Sequence, residues 1–165
     1  MAQVYISIGS NINREEMVRS CIDSLTNSFG EITRSSVYES ISVGFEGDNF
    51  FNMVVGFFAD NYEDLIKKLR VIEQAHGRNR TEKKYSSRTL DLDLLLFGQL
   101  DLHGEGIDVP RDEITNYAFV LGPLAEIAPN EIHPTIGKTF ADMWSEFCVE
   151  RPTEADSIWP ISFNW

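Results

Sequence analysis

Apolar and polar residues alternate along residues 4–8, which predicts a strand with one buried face. Between residues 17 and 29 the apolar residues recur at helical spacing, and Gly30 predicts the end of this helix. Asn13, with Glu16 three positions later, predicts a capping box where the helix begins.

The same two periodicities predict the next elements. Strands are expected at residues 32–38, 51–58 and 90–97, and a second helix is capped by Asn61 and ended by Gly77. The order strand, helix, strand, strand, helix, strand predicts an α+β fold. It is typical of the ferredoxin-like arrangement, a βαββαβ core in which an antiparallel sheet has both helices on one face.

A C-terminal extension follows this core. It predicts a short helix at residues 112–117, an apolar segment at 119–127, and a helix that begins after Thr139 and reaches about Cys148. The last dozen residues predict no element. The 165 residues suit a single domain, residues 1–165.

The most specific chemical signal is a pair of aspartates inside the last predicted strand. In a strand, alternate residues share a face, so Asp91 and Asp93 lie opposite four leucines. These are Leu90, Leu92, Leu94 and Leu96. Two neighbouring carboxylates repel each other unless a cation lies between them, and hard oxygen ligands suit Mg²⁺. The alternative is that both aspartates simply face water.

Charge limits the partners of the chain. It carries 14 basic and 26 acidic side chains, a formal net charge of −12, which argues against a general nucleic-acid binder. Eight of the 14 basic residues lie between Lys67 and Arg88. This local concentration favours a small anionic ligand, and a solvated helix end and loop is the alternative.

Arginines dominate the predicted loop after the second helix. The planar guanidinium groups of Arg78, Arg80 and Arg88 suit phosphate oxygens and the charge that develops on a transferring phosphoryl group. Such a loop could close over a reacting phosphate. A surface loop without a ligand is the alternative.

Two further positions allow either a structural or a binding role. Glu73 lies at the edge of an apolar helix face, where it could bind a ligand or pair with Arg70 or Arg78. Phe50 and Asn52 share a strand face and could stack on a flat ring and hydrogen-bond its edge. A core phenylalanine next to a strand end is the alternative for that pair.

Nothing in the sequence predicts export or a membrane span, so we expect a soluble protein of the cytoplasm. Cys21 falls on an apolar helix face and is expected to be a buried thiol. The three histidines show no metal-ligand spacing. No feature decides the oligomeric state, and we expect a monomer.

Taken together, these motifs resemble the 6-hydroxymethyl-7,8-dihydropterin pyrophosphokinase family of the folate pathway, over roughly residues 3–128. The most specific part is Gly77-Arg78-Asn79-Arg80 followed by the run from Arg88 to Gly98, RTLDLDLLLFG. Further similarity lies in the opening run from Tyr5 to Asn11. It continues at Tyr38, Gly44, Asn52, Ile72-Glu73, Val109-Pro110, Ala118 to Leu121 and Pro123-Leu124.

The resemblance implies transfer of the β,γ-diphosphate of ATP to the hydroxymethyl group of the pterin, with release of AMP. It implies that Asp91 and Asp93 bind two Mg²⁺ ions. It also implies that Arg78 and Arg88 stabilise the transferring diphosphate. Glu73, Arg80 and Arg111 would bind the nucleotide.

For the pterin, the resemblance implies stacking between Phe50 and Phe119 and a hydrogen bond from Asn52. Backbone near Ser40 and Val43 would assist. Tyr85 stands where family members often have a tryptophan that closes over the pterin.

Two positions depart from the family pattern. Arg111 stands where the family usually has histidine, and Tyr117 where it usually has arginine, and both family residues contact the ATP phosphates. A paralogue that binds a pterin or a nucleotide with altered or weak catalysis is therefore the alternative. An RNA-binding module with exposed aromatics is a third hypothesis, against which the net charge and the two strand aspartates argue.

Overall fold

Six strands build one antiparallel sheet in this computed structural model, which describes residues 1–41, 47–77 and 89–165. The strands run in the order β5–β1–β4–β3–β6, and β2 also pairs with β4. Their bounds are β1 Ala2–Ser10, β2 Thr33–Arg34, β3 Val37–Ser40, β4 Phe50–Ala59, β5 Asp91–Phe97 and β6 Ile158–Ile161. The predicted α+β class and antiparallel sheet are confirmed.

Six helices cover the two faces of the sheet in the described part of the chain. They are α1 Arg14–Phe29, α2 Tyr62–Ala75, α3 Glu113–Asn116, α4 Ala118–Ile127, α5 Phe140–Glu150 and α6 Pro152–Ala155, with a 3₁₀ turn at His103–Glu105. None of them is long and apolar enough to cross a membrane.

Apolar side chains form one core cluster on each face of the sheet. Ile6 and Leu92 pack with α1 and α2 on the first face, as the ferredoxin-like pattern predicts for the two helices of the core. On the second face Tyr5 and Val54 pack with α3, α4 and α5, so the C-terminal extension covers part of the opposite side.

Three predicted helix ends are confirmed, because the predicted capping residues occupy them: the starts of α2 and α5 and the end of α1. The Asn61 side chain accepts a hydrogen bond from the Asp64 backbone at 3.0 Å. Thr139 Oγ1 accepts one from Asp142 at 3.2 Å where α5 begins. Gly30 ends α1 with φ +83°, a conformation that favours glycine. The buried, unpaired thiol of Cys21 is also confirmed.

The predicted capping box at α1 is wrong. Asn13 has the left-handed backbone conformation, φ 49° and ψ 41°, and its side chain makes no cap hydrogen bond. A capping box needs an extended backbone at this position so that the side chain can turn back onto the first turn.

The single strand predicted at residues 32–38 is two short strands. Between them Ser35 interrupts the regular ladder, because its hydroxyl accepts the hydrogen bond of the Val54 N–H at 2.9 Å. The last dozen residues, for which the sequence predicts no element, contain β6. That strand pairs with β3 and extends the sheet at one edge.

Candidate active site

The acidic pair lies on β5, an edge strand that pairs with β1. Leu92 and Leu94 belong to the core cluster under α1 and α2, so alternation turns Asp91 and Asp93 to the second face, as predicted. Asp93 is only 5% exposed, whereas Asp91 is half-buried.

One predicted neighbour of the pair faces the other way. Leu96 was expected to share the face of Leu92 and Leu94, but it packs in the second cluster together with Leu95. The register between β1 and β5 shifts at Tyr5/Ile6, a β-bulge that inserts Leu95 into the ladder and reverses the alternation beyond it.

Gly9 connects the acidic pair to the predicted pterin residues. It pairs with Asp91 on β5 and with Asn52 on β4, so the three residues form one row across the sheet. Two strand spacings separate Asn52 from Asp91, roughly 10 Å. In the next row, Ser7 lies between Val54 and Asp93. Ser7 and Gly9 therefore place no bulky side chain of β1 between the two ends.

A buried hydrogen bond fixes the amide end of this row. Asn52 Nδ2 donates to Ser40 Oγ at 2.5 Å, and both side chains are buried. A Cβ at Gly9 would lie 3.3 Å from Asn52 Oδ1 and 3.8 Å from the Phe50 ring. The amide oxygen and the half-buried Phe50 ring thus lie directly over Gly9.

An aromatic pair stands at the start of α4. The rings of Tyr117 and Phe119 stack with centroids 4.9 Å apart and an interplanar angle of 26°. Both rings are half-buried and pack against the second core cluster, on the face that carries Asn52 and Asp91. Tyr117, which departs from the family pattern, therefore supports the ring of Phe119.

Among the residues that the structure describes, Arg111 makes the shortest ion pair with the acidic pair. Its backbone N–H donates to the Leu95 carbonyl at 3.0 Å, which fixes it beside β5. The guanidinium lies 3.4 Å from Asp93 Oδ1 and 3.1 Å from Glu113 Oε1. Burial alone would lower the pKa of Arg111, but the charges of Asp93 and Glu113 outweigh burial and raise it.

Glu73 is fully paired inside the fold. Its carboxylate is 1% exposed, accepts a hydrogen bond from Arg70 at 2.6 Å and accepts another from the Leu92 N–H at 2.7 Å. The Arg70 guanidinium also donates to the Leu92 carbonyl at 2.9 Å. The predicted salt bridge between Glu73 and Arg70 is thus confirmed. Together the two side chains hydrogen-bond the N–H and the carbonyl of Leu92, the residue between the two aspartates.

Arg70 and Arg14 were not assigned site roles from the sequence. Arg14 donates to the Asn49 carbonyl at 2.8 Å, pairs with Glu39 at 3.2 Å and lies 4.0 Å over the Phe51 ring. It therefore anchors the residues that lead into Phe50. Its partners are 25 or more positions away, so sequence spacing offers no signal for this role.

Five predicted site residues lie outside the described residues. They are Val43, Arg78, Arg80, Tyr85 and Arg88. Their roles stay predictions.

The described residues fit a divalent cation that binds oxygen. Asp91 and Asp93 present two carboxylates on one face of one strand, a donor set of the kind Mg²⁺ takes together with phosphate oxygens and water. At the other end of the row, the Asn52 amide lies next to the half-buried Phe50 ring.

These features describe an α+β protein with a candidate small-molecule site on its antiparallel sheet. The sequence matches the family model described as 7,8-dihydro-6-hydroxymethylpterin-pyrophosphokinase (HPPK) over residues 5–129. The chain belongs to this family, which confirms the resemblance predicted from the motifs.

Relatives of this chain carry the corresponding name. A 2-amino-4-hydroxy-6-hydroxymethyldihydropteridine pyrophosphokinase of Aquifex aeolicus is 33% identical over 150 residues, covering 88% of this chain and 92% of that protein. One from Synechocystis sp. is 37% identical over 99 residues, which are 60% of this chain and 47% of the relative.

Solved structures show the same fold. The crystal structure of Plasmodium falciparum HPPK-DHPS, wild type with SDX-DHP, superposes with a TM-score of 0.73 at 12% identity. The match covers 98% of this chain and 47% of that one, so the chain spans about half the length of this solved neighbour.

Proposed function

We propose that this chain transfers the β,γ-diphosphate of MgATP to the hydroxymethyl group of 6-hydroxymethyl-7,8-dihydropterin, a step of folate biosynthesis. The main support is the row Asn52–Gly9–Asp91, in which the amide proposed to bind the ring and an aspartate proposed to bind the metal share one face of the sheet. Family membership supports the same reaction.

In this reaction the pterin hydroxyl oxygen forms a bond to the β-phosphorus of ATP. The bond between that phosphorus and the oxygen bridging to the α-phosphate breaks, AMP leaves with that oxygen, and the hydroxyl proton is lost. Asp91 and Asp93 would hold Mg²⁺, two ions by the resemblance, which would neutralise phosphate charge. The chain itself contributes mainly positioning and charge.

At the pterin end, Asn52 would hydrogen-bond the ring edge, with its amide oriented by Ser40. Phe50 and Phe119 would stack on the two ring faces, and the Tyr117 ring would hold Phe119 in place. By resemblance to the family, Val43 and Tyr85 would also bind the pterin.

At the nucleotide end, Arg78 and Arg88 would stabilise the transferring diphosphate, and Arg80 and Arg111 would bind the nucleotide. Glu73 would serve this end through the Leu92 backbone that it holds.

We further infer that the fold is ferredoxin-like over β1–β5, and that residues 1–165 are a single pterin- and ATP-binding domain. We infer a cytoplasmic monomer without a nucleic-acid partner.

A product assay with MgATP and 6-hydroxymethyl-7,8-dihydropterin, resolving AMP from ADP, tests the proposal. We expect AMP and a diphosphorylated pterin in equal amounts. ADP with a monophosphorylated pterin would contradict the reaction. Pterin binding without AMP would instead favour a diverged paralogue, the reading that the Arg111 and Tyr117 departures support.

A further inference from the structure

Two guanidinium groups flank the carboxylate of Asp93. Arg70 reaches it from α2, with Nη2 3.9 Å from Oδ1, and Arg111 reaches it from the segment after β5, with Nη2 3.4 Å from the same oxygen. The Asp93 side chain is only 7% exposed, so water screens these charges weakly.

Each guanidinium is fixed by a second carboxylate as well. Arg70 pairs with Glu73 at 2.6 Å, and Arg111 pairs with Glu113 at 3.1 Å. The Arg70 group also donates to the Leu92 carbonyl, so the backbone between the two aspartates holds it in place. Neither arginine depends on Asp93 alone for its position.

A divalent cation on Asp93 and a guanidinium on Asp93 compete for the same oxygen. Two positive groups within about 4 Å of a metal ligand lower the affinity of the site for a cation, because like charges repel at this range. We propose that Arg70 and Arg111 are counterions of Asp93 that a divalent cation must displace, and that they thereby set the metal affinity of the acidic pair. The proposal rests on the proposed function only for the role of Asp91 and Asp93 as metal ligands.

The competition has a consequence for the nucleotide. When a cation binds Asp93, the Arg111 guanidinium loses its ion pair with Asp93 and can bind a phosphate group instead. Its second ion pair, with Glu113, keeps the guanidinium near the site. Metal and polyphosphate therefore favour each other's binding through one side chain, and the coupling is reciprocal.

Mn²⁺ binding tests the proposal directly. The full chain, stripped of metal with chelator, is titrated with Mn²⁺ and the free ion is followed by electron paramagnetic resonance. The variants are Arg111→Gln and Arg70→Gln. Lys138→Gln is the charge-matched control, since Lys138 pairs with Glu146 at an exposed site.

We expect Arg111→Gln to bind Mn²⁺ about fivefold more tightly than wild type, and Arg70→Gln to change affinity in the same direction. Lys138→Gln should match wild type. Unchanged or weaker Mn²⁺ binding by both arginine variants would overturn the counterion role and leave the proposed function standing. Failure of wild type to bind Mn²⁺, with or without a non-hydrolysable ATP analogue, would overturn both.

Thermal unfolding supplies a second readout that needs no turnover. A cation that binds the folded state raises Tm according to its affinity. We expect Mn²⁺ to raise the Tm of Arg111→Gln more than that of wild type at the same concentration. An equal or smaller rise would contradict the competition even if the variant is less stable before Mn²⁺ is added.

Discussion

Asn52 and Asp91 lie in one row of the sheet because both pair with Gly9, from opposite sides of β1. The proposed ring-binding amide and the proposed metal ligand are thereby held at a distance fixed by two strand spacings, roughly 10 Å. A rigid sheet, rather than a loop, sets the separation between the two ends of the site.

The size of residue 9 should matter for the pterin end. In Gly9→Ala the new Cβ lies 3.3 Å from Asn52 Oδ1, so the amide must shift. Loss of one well-placed hydrogen bond predicts about tenfold weaker pterin binding, measured by calorimetry. Gly56→Ala is the control, because its Cβ would lie 2.8 Å from the Tyr5 ring and should lower Tm without changing pterin affinity. Equal pterin affinity in wild type and Gly9→Ala would contradict this arrangement.

Ser40 should act through Asn52. Ser40→Ala removes the acceptor of the Asn52 amide, so the amide loses its fixed orientation. We expect pterin affinity to fall about fivefold while the KM for MgATP stays the same. Ser35→Ala removes a comparable buried hydrogen bond, to the Val54 N–H, outside the row. A similar loss of pterin affinity in both variants would show a general effect on the sheet.

Glu73 should stabilise the strand that carries the aspartates. Glu73→Gln removes the negative charge that accepts hydrogen bonds from Arg70 and from the Leu92 N–H inside the core. We therefore expect a loss of about 2 kcal/mol in the free energy of unfolding. Chemical denaturation measures this, and faster hydrogen exchange at the Leu92 amide should accompany it. Glu146→Gln, which breaks an exposed pair with Lys138, should cost much less. Equal costs for the two variants would be inconsistent with the buried role.

His103 predicts a pH dependence of stability. Its ring bonds Asp108 at 3.0 Å and Asp101 at 2.7 Å, and these hydrogen bonds raise the pKa of His103 above its ordinary value. A raised pKa in the folded state stabilises the fold below the ordinary histidine pKa, and this contribution is lost as pH rises through the raised value. The Tm difference between wild type and His103→Gln should therefore be larger at about pH 5.5 than at about pH 8.5. The same difference at both pH values would refute the assignment.

The sequence predicted α1, α2, α3 and α5, the antiparallel sheet and the family, because these depend on local periodicity and on one specific motif. It did not predict α6, and it predicted only an apolar segment where α4 lies. Leu92 and Leu94 face the core as their alternation requires. Leu96 does not, because the bulge at Leu95 depends on pairing with β1, which no local pattern records. Similarly, β6 forms because its backbone pairs with β3, and its sequence shows no strand periodicity.

Side-chain partners were predictable only where they are close in the sequence. The pair Arg70–Glu73 lies one helical turn apart and was foreseen as one of two pairings. The approach of Arg70 and Arg111 to Asp93 depends on how α2 and the segment after β5 pack around an edge strand. The stacking of Tyr117 on Phe119 likewise emerged from the geometry of the α4 start.

Formation of AMP by the Asp93→Asn variant is the most direct test of the central claim, that the acidic pair holds the metal of a diphosphate-transfer site. Asparagine keeps the shape and removes the charge, so we expect turnover to fall by about a thousandfold while the circular dichroism spectrum shows that the fold persists. Asp142→Asn, at an exposed position in the first turn of α5, is the control and should retain full turnover. Near-wild-type AMP formation by Asp93→Asn would contradict the claim.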